Sequence, residues 1–226
     1  MKALVAAFVL IASGLQTATY DLIWKPKEGQ KLTYGLKIDG ELLEKPFTIS
    51  GDVLMNVKKV ETNGDYTLGT SFKNMKAVFF GDEQVQPDEA EEVQKFSARG
   101  ELLSEKTKED EEGDVVSELF SRAGEYQAPP KPVAIGEKWT HEFPADKKLG
   151  LPKAKGTYQL LSETTDQLKV SIDYEELSGN EPTSAKGTAT VQKSDGLPIS
   201  VESSVKNLRF QEGVPPGTAK LTMAKK

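Results

Sequence analysis

Apolar and polar residues alternate with a period of two along most of the chain after residue 19. The alternation begins at residues 31–38 and returns at 47–57 and 66–72. The last two segments flank residues 62–65, which contain the Asn-Gly sequence of a tight hairpin turn. A strand with this pattern packs one face on a core and exposes the other, as in antiparallel sheets. The pattern therefore predicts a mostly β, antiparallel protein of roughly ten to twelve strands.

The second half of the chain repeats both the alternation and short stretches of sequence. Residues 29–34 match 136–141, and residues 100–104 match 196–200 in the same order. We therefore predict two similar β-units produced by an internal duplication. The strands then form either one strongly bent sheet or half-barrel, or two packed sheets.

One short helix and one stiff connector interrupt the strands. Apolar residues at helical spacing predict a helix over 115–122, with Asp114 as its cap and Gly124 at its end. The Pro-Pro-Lys-Pro stretch at 129–132 favours an extended connector. The predicted organisation is a signal peptide (1–18), a first β-unit with acidic loops and the helix (19–124), a Pro-rich connector (125–135) and a second β-unit (136–226).

The N-terminus has the features of a signal peptide. Lys2 precedes an uninterrupted apolar run at 3–12, too short to span a bilayer of about 30 Å but typical of the apolar region of a signal sequence. Small residues follow, with cleavage expected after Gly14 or Ala18. We predict export to the periplasm or the extracellular space. No transmembrane segment is expected in the mature chain, since no other stretch approaches eighteen apolar residues.

Composition narrows the possible chemistry. The 226 residues carry a net charge of −6, no cysteine and one histidine. The absence of cysteine excludes disulfides, thiolate metal sites and thiol nucleophiles. Only three of the 29 basic residues are arginine, the residue that best contacts phosphate, so we do not expect nucleic acid as a partner.

The acidic segments 81–92 and 108–114 are expected to be exposed loops. The second has the alternate acids of a calcium loop, but Val115 and Ser121 stand where that loop requires glycine and glutamate. The sequence predicts neither a metal site nor a cofactor.

Two short motifs carry a family resemblance. They are Trp24-x-Pro26-x-x-Gly29 and the stretch Val-Ala-Ile-Gly-Glu-Lys-Trp at 133–139 that follows the prolines. In these features the chain resembles uncharacterised exported bacterial β-rich proteins classed as domains of unknown function. The resemblance covers most of the mature chain, and it implies an exported β-rich fold without implying any activity.

The candidate binding residues are aromatic or polar-tipped side chains on the apolar faces of the strands. His141 shares a face with Trp139 and Phe143, and it matches Tyr34 in the first half. His141 is either a ligand contact or general base in an apolar pocket, or a core imidazole in a packing role. A sheet face of this kind must be covered by a sheet, a helix or a ligand. We predict a lining formed by Tyr34, Trp139, His141 and Tyr174.

The leading hypothesis is an exported, non-enzymatic envelope protein. It binds a lipid, another apolar or amphiphilic molecule, or a partner protein on the inner face of a curved sheet. No catalytic motif is present and no catalytic residue is predicted. One alternative is a hydrolase that uses carboxylates or His141. The other is a structural envelope module whose edge strands pair with a partner.

Overall fold

The structure is a computed structural model that describes residues 18–103, 115–124, 126–179, 181–209 and 215–226. Within these ranges the chain forms thirteen strands and one helix. The elements are β1 (Thr19–Tyr20), β2 (Lys31–Leu42), β3 (Lys45–Val60), β4 (Tyr66–Phe79), β5 (Asp82–Val85), β6 (Glu92–Phe96), α1 (Val115–Gly124), β7 (Val133–Ala134), β8 (Lys138–Phe143), β9 (Ala154–Glu163), β10 (Gln167–Glu176), β11 (Ser184–Gln192), β12 (Pro198–Leu208) and β13 (Gly217–Lys225).

Eleven of these strands form one antiparallel sheet, and β1 pairs with β7 in a separate two-stranded sheet. The order in the large sheet is β5-β4-β3-β2-β13-β12-β11-β10-β9-β8, with β6 also paired to β4. The sheet is open and bent, and the segments next to its two edges make contact. Arg99, in the turn that follows β6, donates a hydrogen bond of 3.1 Å to the carbonyl of Pro129, shortly before β7 and β8. The predicted antiparallel β fold is confirmed as one bent sheet, with the predicted single helix.

The helix α1 lies on the inner face of this sheet, against β10, β11 and β12. Its buried side chains include Leu119, Phe120 and Ala123. The inner face of β11 is built from small residues, and a Cβ at Gly187 would lie 2.2 Å from the carbonyl oxygen of Glu202 in β12.

A segment that we call the strap (residues 19–27) crosses one end of the bent sheet. It starts beside β7, where Tyr20 pairs with Val133. Further along, the backbone N–H of Lys25 donates to the carbonyl of Asp195 at 2.7 Å, in the turn between β11 and β12. Trp24 reaches Tyr66 at the start of β4, with ring centroids 5.2 Å apart. The strap thus passes from one half of the sheet to the other.

The acidic segment 81–92 differs in part from its prediction. Its residues are exposed, as expected, but Asp82–Val85 forms the edge strand β5. Backbone hydrogen bonds from Gln86 to Met75 and from Glu89 to Phe72 extend this contact along β4. An edge strand of polar residues has no apolar alternation, so its backbone pairing alone defines it.

Other predictions lie outside the described residues. These are the signal peptide apart from Ala18, the acidic segment 108–114 and the cap at Asp114. In the described ranges, no helix is long and apolar enough to span a membrane.

Candidate functional site

The inner face of the second half of the sheet is completely filled. Most inward apolar side chains of β9 to β12 are at most 2% exposed, among them Tyr158, Leu160, Val170, Ile172 and Val201. They form one core together with Leu119 and Phe120 of α1 and Leu22 of the strap. Since the helix and the strap already cover this face, it holds no open space for a ligand in this conformation.

Two of the predicted binding residues, Trp139 and Tyr174, belong to this filled core. The indole N–H of Trp139 donates a hydrogen bond of 2.8 Å to the carbonyl of Gln127, and its ring stacks on Tyr158 at 5.7 Å. Tyr174 meets Phe143 edge-on, with ring centroids 5.6 Å apart. Both side chains have the contacts of packed core residues.

His141 lies beside them on the edge strand β8 and is half-buried. Its ring meets Phe143 edge-on at 4.8 Å between centroids. Burial lowers the pKa of His141 below its ordinary value, and the Glu101 carboxylate opposes this effect only in part. The imidazole is therefore mainly neutral at neutral pH.

Tyr34 lies apart from the other three, in a cluster with Leu32, Val53 and Leu197. Its hydroxyl donates a hydrogen bond of 2.8 Å to the carbonyl of Pro198. Burial, assisted by the Asp195 carboxylate, raises the pKa of Tyr34 to about 12. The structure therefore brings Trp139, His141 and Tyr174 together and leaves Tyr34 on the other side of the core.

The inner face of the first half is only partly covered. We call its half-buried apolar side chains the β2–β4 face, which consists of Leu36, Ile49, Met55, Phe72 and Phe79. Each packs against buried core residues and keeps part of its surface in contact with solvent. This contrasts with the filled face of β9 to β12, although both belong to the same sheet.

The sequence carried a signal for this difference. Beneath α1, the inward positions of β11 are Ala185, Gly187 and Ala189, whereas β3 and β4 carry larger apolar side chains. A helix fits over small side chains and is excluded by large ones. Side-chain volume along the alternating faces therefore indicates which half accepts the helix.

Trp24 of the strap lies at the end of the β2–β4 face that is next to the strap. It packs against the same buried cluster as Leu36, Met55 and Phe72. Its indole nitrogen Nε1 is buried, and no acceptor among the described residues lies within hydrogen-bond distance of it. In the sequence, Trp24 stands out only as part of the Trp24-x-Pro26-x-x-Gly29 motif.

Two surface depressions lie at the end of the sheet opposite the strap. One of about 390 Å³ is lined by residues 41–44 and 215–218, and one of about 170 Å³ is lined by residues 142–144, 153–154 and Leu177. Neither contains any of the four predicted binding residues. In the part of the chain that the structure describes, no three histidine or carboxylate side chains group closely enough to hold a metal ion.

Comparison with known proteins gives only remote structural similarity. No family model matches the chain, and no curated relative matches it. A chain from a solved structure titled "Lipid-protein interactions in lipovitellin" aligns with 88% of this chain at 12% identity and a TM-score of 0.49. This chain spans 25% of the length of that one. At this similarity, nothing known of that protein transfers to the present one.

Proposed function

We propose that this protein is an exported, non-enzymatic protein that binds an apolar or amphiphilic small molecule on the β2–β4 face. The observation that supports the proposal is the difference between the two halves of one inner face. Helix α1 covers the second half, where most inward apolar side chains of β9 to β12 are at most 2% exposed. The first half also contains buried inward residues such as Tyr34, Phe47 and Val57, but its side chains Leu36, Ile49, Met55, Phe72 and Phe79 keep part of their surface exposed.

The size of this face suits a long apolar chain. Met55 and Ile49 are six residues apart on β3, a distance of about 20 Å along a strand. Each buried methylene group contributes about 0.8 kcal/mol before the entropic cost of binding is subtracted. A chain of about ten methylene groups therefore supplies roughly 8 kcal/mol of gross stabilisation, which corresponds to about micromolar binding before losses and to weaker binding once the entropic cost is subtracted.

Export is the second part of the proposal. It is supported by Lys2 and the apolar run at 3–12, a pattern typical of secretory signal peptides. A carrier in the periplasm or outside the cell meets amphiphiles that have left a membrane. The resemblance to exported β-rich proteins is consistent with this location.

The test is a titration of the mature protein with N-phenyl-1-naphthylamine, an uncharged apolar dye that fluoresces when it leaves water. The variant Phe72→Gln places a polar group on the β2–β4 face. Its matched control is Leu54→Gln, because Leu54 is also half-buried but lies on the opposite face of β3, paired with Ser71 of β4.

We expect saturable binding to the wild type, an affinity lowered about tenfold in Phe72→Gln, and a change of less than about twofold in Leu54→Gln. Absence of saturable binding to the wild type would contradict the proposal. Equal losses in the two variants would place the dye somewhere other than the β2–β4 face.

A further inference from the structure

The two tryptophans of this chain differ in how their indole N–H groups are satisfied. Trp139 donates to the carbonyl of Gln127 at 2.8 Å. The Nε1 atom of Trp24 is also buried, yet it makes no hydrogen bond to any of the described residues. Burial of an unpaired donor costs about 1–3 kcal/mol, so native proteins rarely retain one without a reason.

The unpaired donor lies next to the proposed binding face. Trp24 packs against the cluster of Leu32, Tyr34, Val53 and Leu197, and Phe72 and Met55 pack against that same cluster. A molecule lying on the β2–β4 face with one end toward the strap would bring that end to the indole ring, which has to turn before a ligand oxygen can contact the shielded Nε1 atom. The rest of the molecule would then extend past Ile49 toward the opposite end of the sheet.

We propose that the ligand is a neutral amphiphile with a single chain and an ester or amide carbonyl at one end, and that this carbonyl accepts a hydrogen bond from Trp24 Nε1. This inference rests on the proposed function and specifies the ligand of the same site. The carbonyl supplies the acceptor that the protein lacks, while the chain covers the β2–β4 face.

The surroundings of Trp24 favour a neutral head group over an anionic one. The backbone N–H of the next residue, Lys25, is bonded to the carbonyl of Asp195, which places an acid beside the strap. The Asp195 carboxylate accepts a hydrogen bond from the N–H of Leu197, a member of the cluster that contacts Trp24. A second carboxylate, brought by a ligand into this apolar site, would be both desolvated and repelled.

The experiment compares two displacers of bound N-phenyl-1-naphthylamine. Methyl dodecanoate carries an ester carbonyl, and 1-chlorododecane has the same chain without a good acceptor. Each is titrated against the wild type, Trp24→Phe and Trp139→Phe. Trp24→Phe keeps an aromatic ring but removes the N–H, and Trp139→Phe removes an N–H that is already paired.

We expect Trp24→Phe to weaken methyl dodecanoate about tenfold and 1-chlorododecane less than about twofold. Trp139→Phe should change the affinity for both displacers by less than about twofold. The indole N–H of Trp139 donates to the carbonyl of Gln127, and the residue does not belong to the β2–β4 face. Equal effects of Trp24→Phe on both displacers would overturn the inference and leave the proposed function intact. Failure of both displacers to compete in the wild type would instead count against the proposed function.

A measurement on the wild type gives an answer even if Trp24→Phe folds poorly. The two indole N–H groups give two resolved signals in a nitrogen–proton correlation spectrum of the labelled protein. Methyl dodecanoate should move one of them downfield as a hydrogen bond forms, and 1-chlorododecane should not. A Trp24 signal that stays in place with methyl dodecanoate bound would indicate that the ring of Tyr66 already satisfies this N–H, and would refute the inference.

Discussion

The hydroxyl of Ser203 in β12 donates a hydrogen bond of 3.1 Å to the carbonyl of Ala123 in the last turn of α1, and both residues are buried. The last carbonyls of a helix have no partner within the helix, so this bond satisfies one of them and fixes the helix on the sheet. It is one contact that keeps α1 over the second half and leaves the β2–β4 face partly uncovered.

Loss of this bond should destabilise the protein. In Ser203→Ala the carbonyl of Ala123 remains buried without its partner, and we expect the free energy of unfolding to fall by about 1–2 kcal/mol. The matched control is Ser204→Ala, because Ser204 is the next residue of β12 and is exposed. Urea unfolding measures both variants. A smaller loss in Ser203→Ala than in Ser204→Ala would show that the bond does not hold the helix.

Arg122 is a buried charged residue whose loss should destabilise the fold. Its side chain is buried, donates to Glu118 at 3.0 Å and to the carbonyl of Pro144 at 3.0 Å, and so connects α1 to the loop after β8. Arg122→Met should lower the free energy of unfolding by about 2–3 kcal/mol, since it removes charge-assisted bonds in a buried site.

The control for Arg122 is Lys186→Met. Lys186 pairs with Asp173 at 3.4 Å, but its side chain is 80% exposed. Its loss should change the free energy of unfolding by less than about 0.5 kcal/mol, as for other exposed ion pairs. If the two variants unfold at the same urea concentration, Arg122 has no special structural role.

Tyr34 should make stability depend on pH in the alkaline range. Burial and Asp195 raise its pKa from 10.0 to about 12 in the folded protein. A raised pKa means that the folded state holds the phenol proton more tightly than the unfolded state. The resulting stabilisation is complete below the unfolded pKa and is lost as the pH rises from 10.0 to about 12.

The comparison is between the wild type and Tyr34→Phe. At about pH 8 the variant should be less stable by about 1 kcal/mol, since it lacks the bond to the carbonyl of Pro198. As the pH rises above the ordinary pKa of 10.0, the difference should shrink, because only the wild type has a Tyr34 phenol to ionise. Urea unfolding at several alkaline pH values follows this difference. A constant or growing difference would contradict the assignment.

The single histidine permits a direct titration. Burial lowers the pKa of His141 below 6.5, since desolvation disfavours the imidazolium. Stability from a base with a lowered pKa is present above its unfolded pKa and is lost as the pH falls through the folded value. Proton NMR of the ring Cε1–H should therefore give a titration midpoint below 6.5. A midpoint at or above the ordinary value would show that His141 is more solvated or more strongly paired with Glu101 than the structure indicates.

Much of the fold follows from the alternation of apolar and polar residues. The pattern around Leu32 and Tyr34 predicts a strand because a two-residue period places both on one face. The helical spacing of the apolar pairs Val115-Val116 and Leu119-Phe120 predicts α1 in the same way. The edge strand β5 cannot be predicted in this way. It is exposed and mostly polar, so its side chains do not alternate, and backbone hydrogen bonds to β4 hold it in the sheet.

The residues of the candidate site are harder to predict from the sequence than the strands are. Alternation shows which face of a strand is buried but not which element buries it. Trp139 and Tyr174 were therefore predicted to line a binding site, whereas the structure places both side chains within the packed core. Leu36 and Phe72 have the same alternation yet stay half-buried, because α1 crosses the other half of the sheet. That difference depends on long-range packing, for which the small residues of β11 were the only local signal.

The most direct test of a ligand site on the β2–β4 face uses the methionine methyl groups. Met55 lies on that face and Met223 packs beside it, so both report on this half of the sheet, while the ring of His141 reports on the other. The measurement is methyl NMR of the mature protein as methyl dodecanoate is added, with signals assigned by Met→Leu variants. We expect the Met55 and Met223 signals to shift in a saturable manner and the His141 ring signal to stay in place. Shifts confined to His141, with both methionine signals unchanged, would contradict a ligand site on the β2–β4 face.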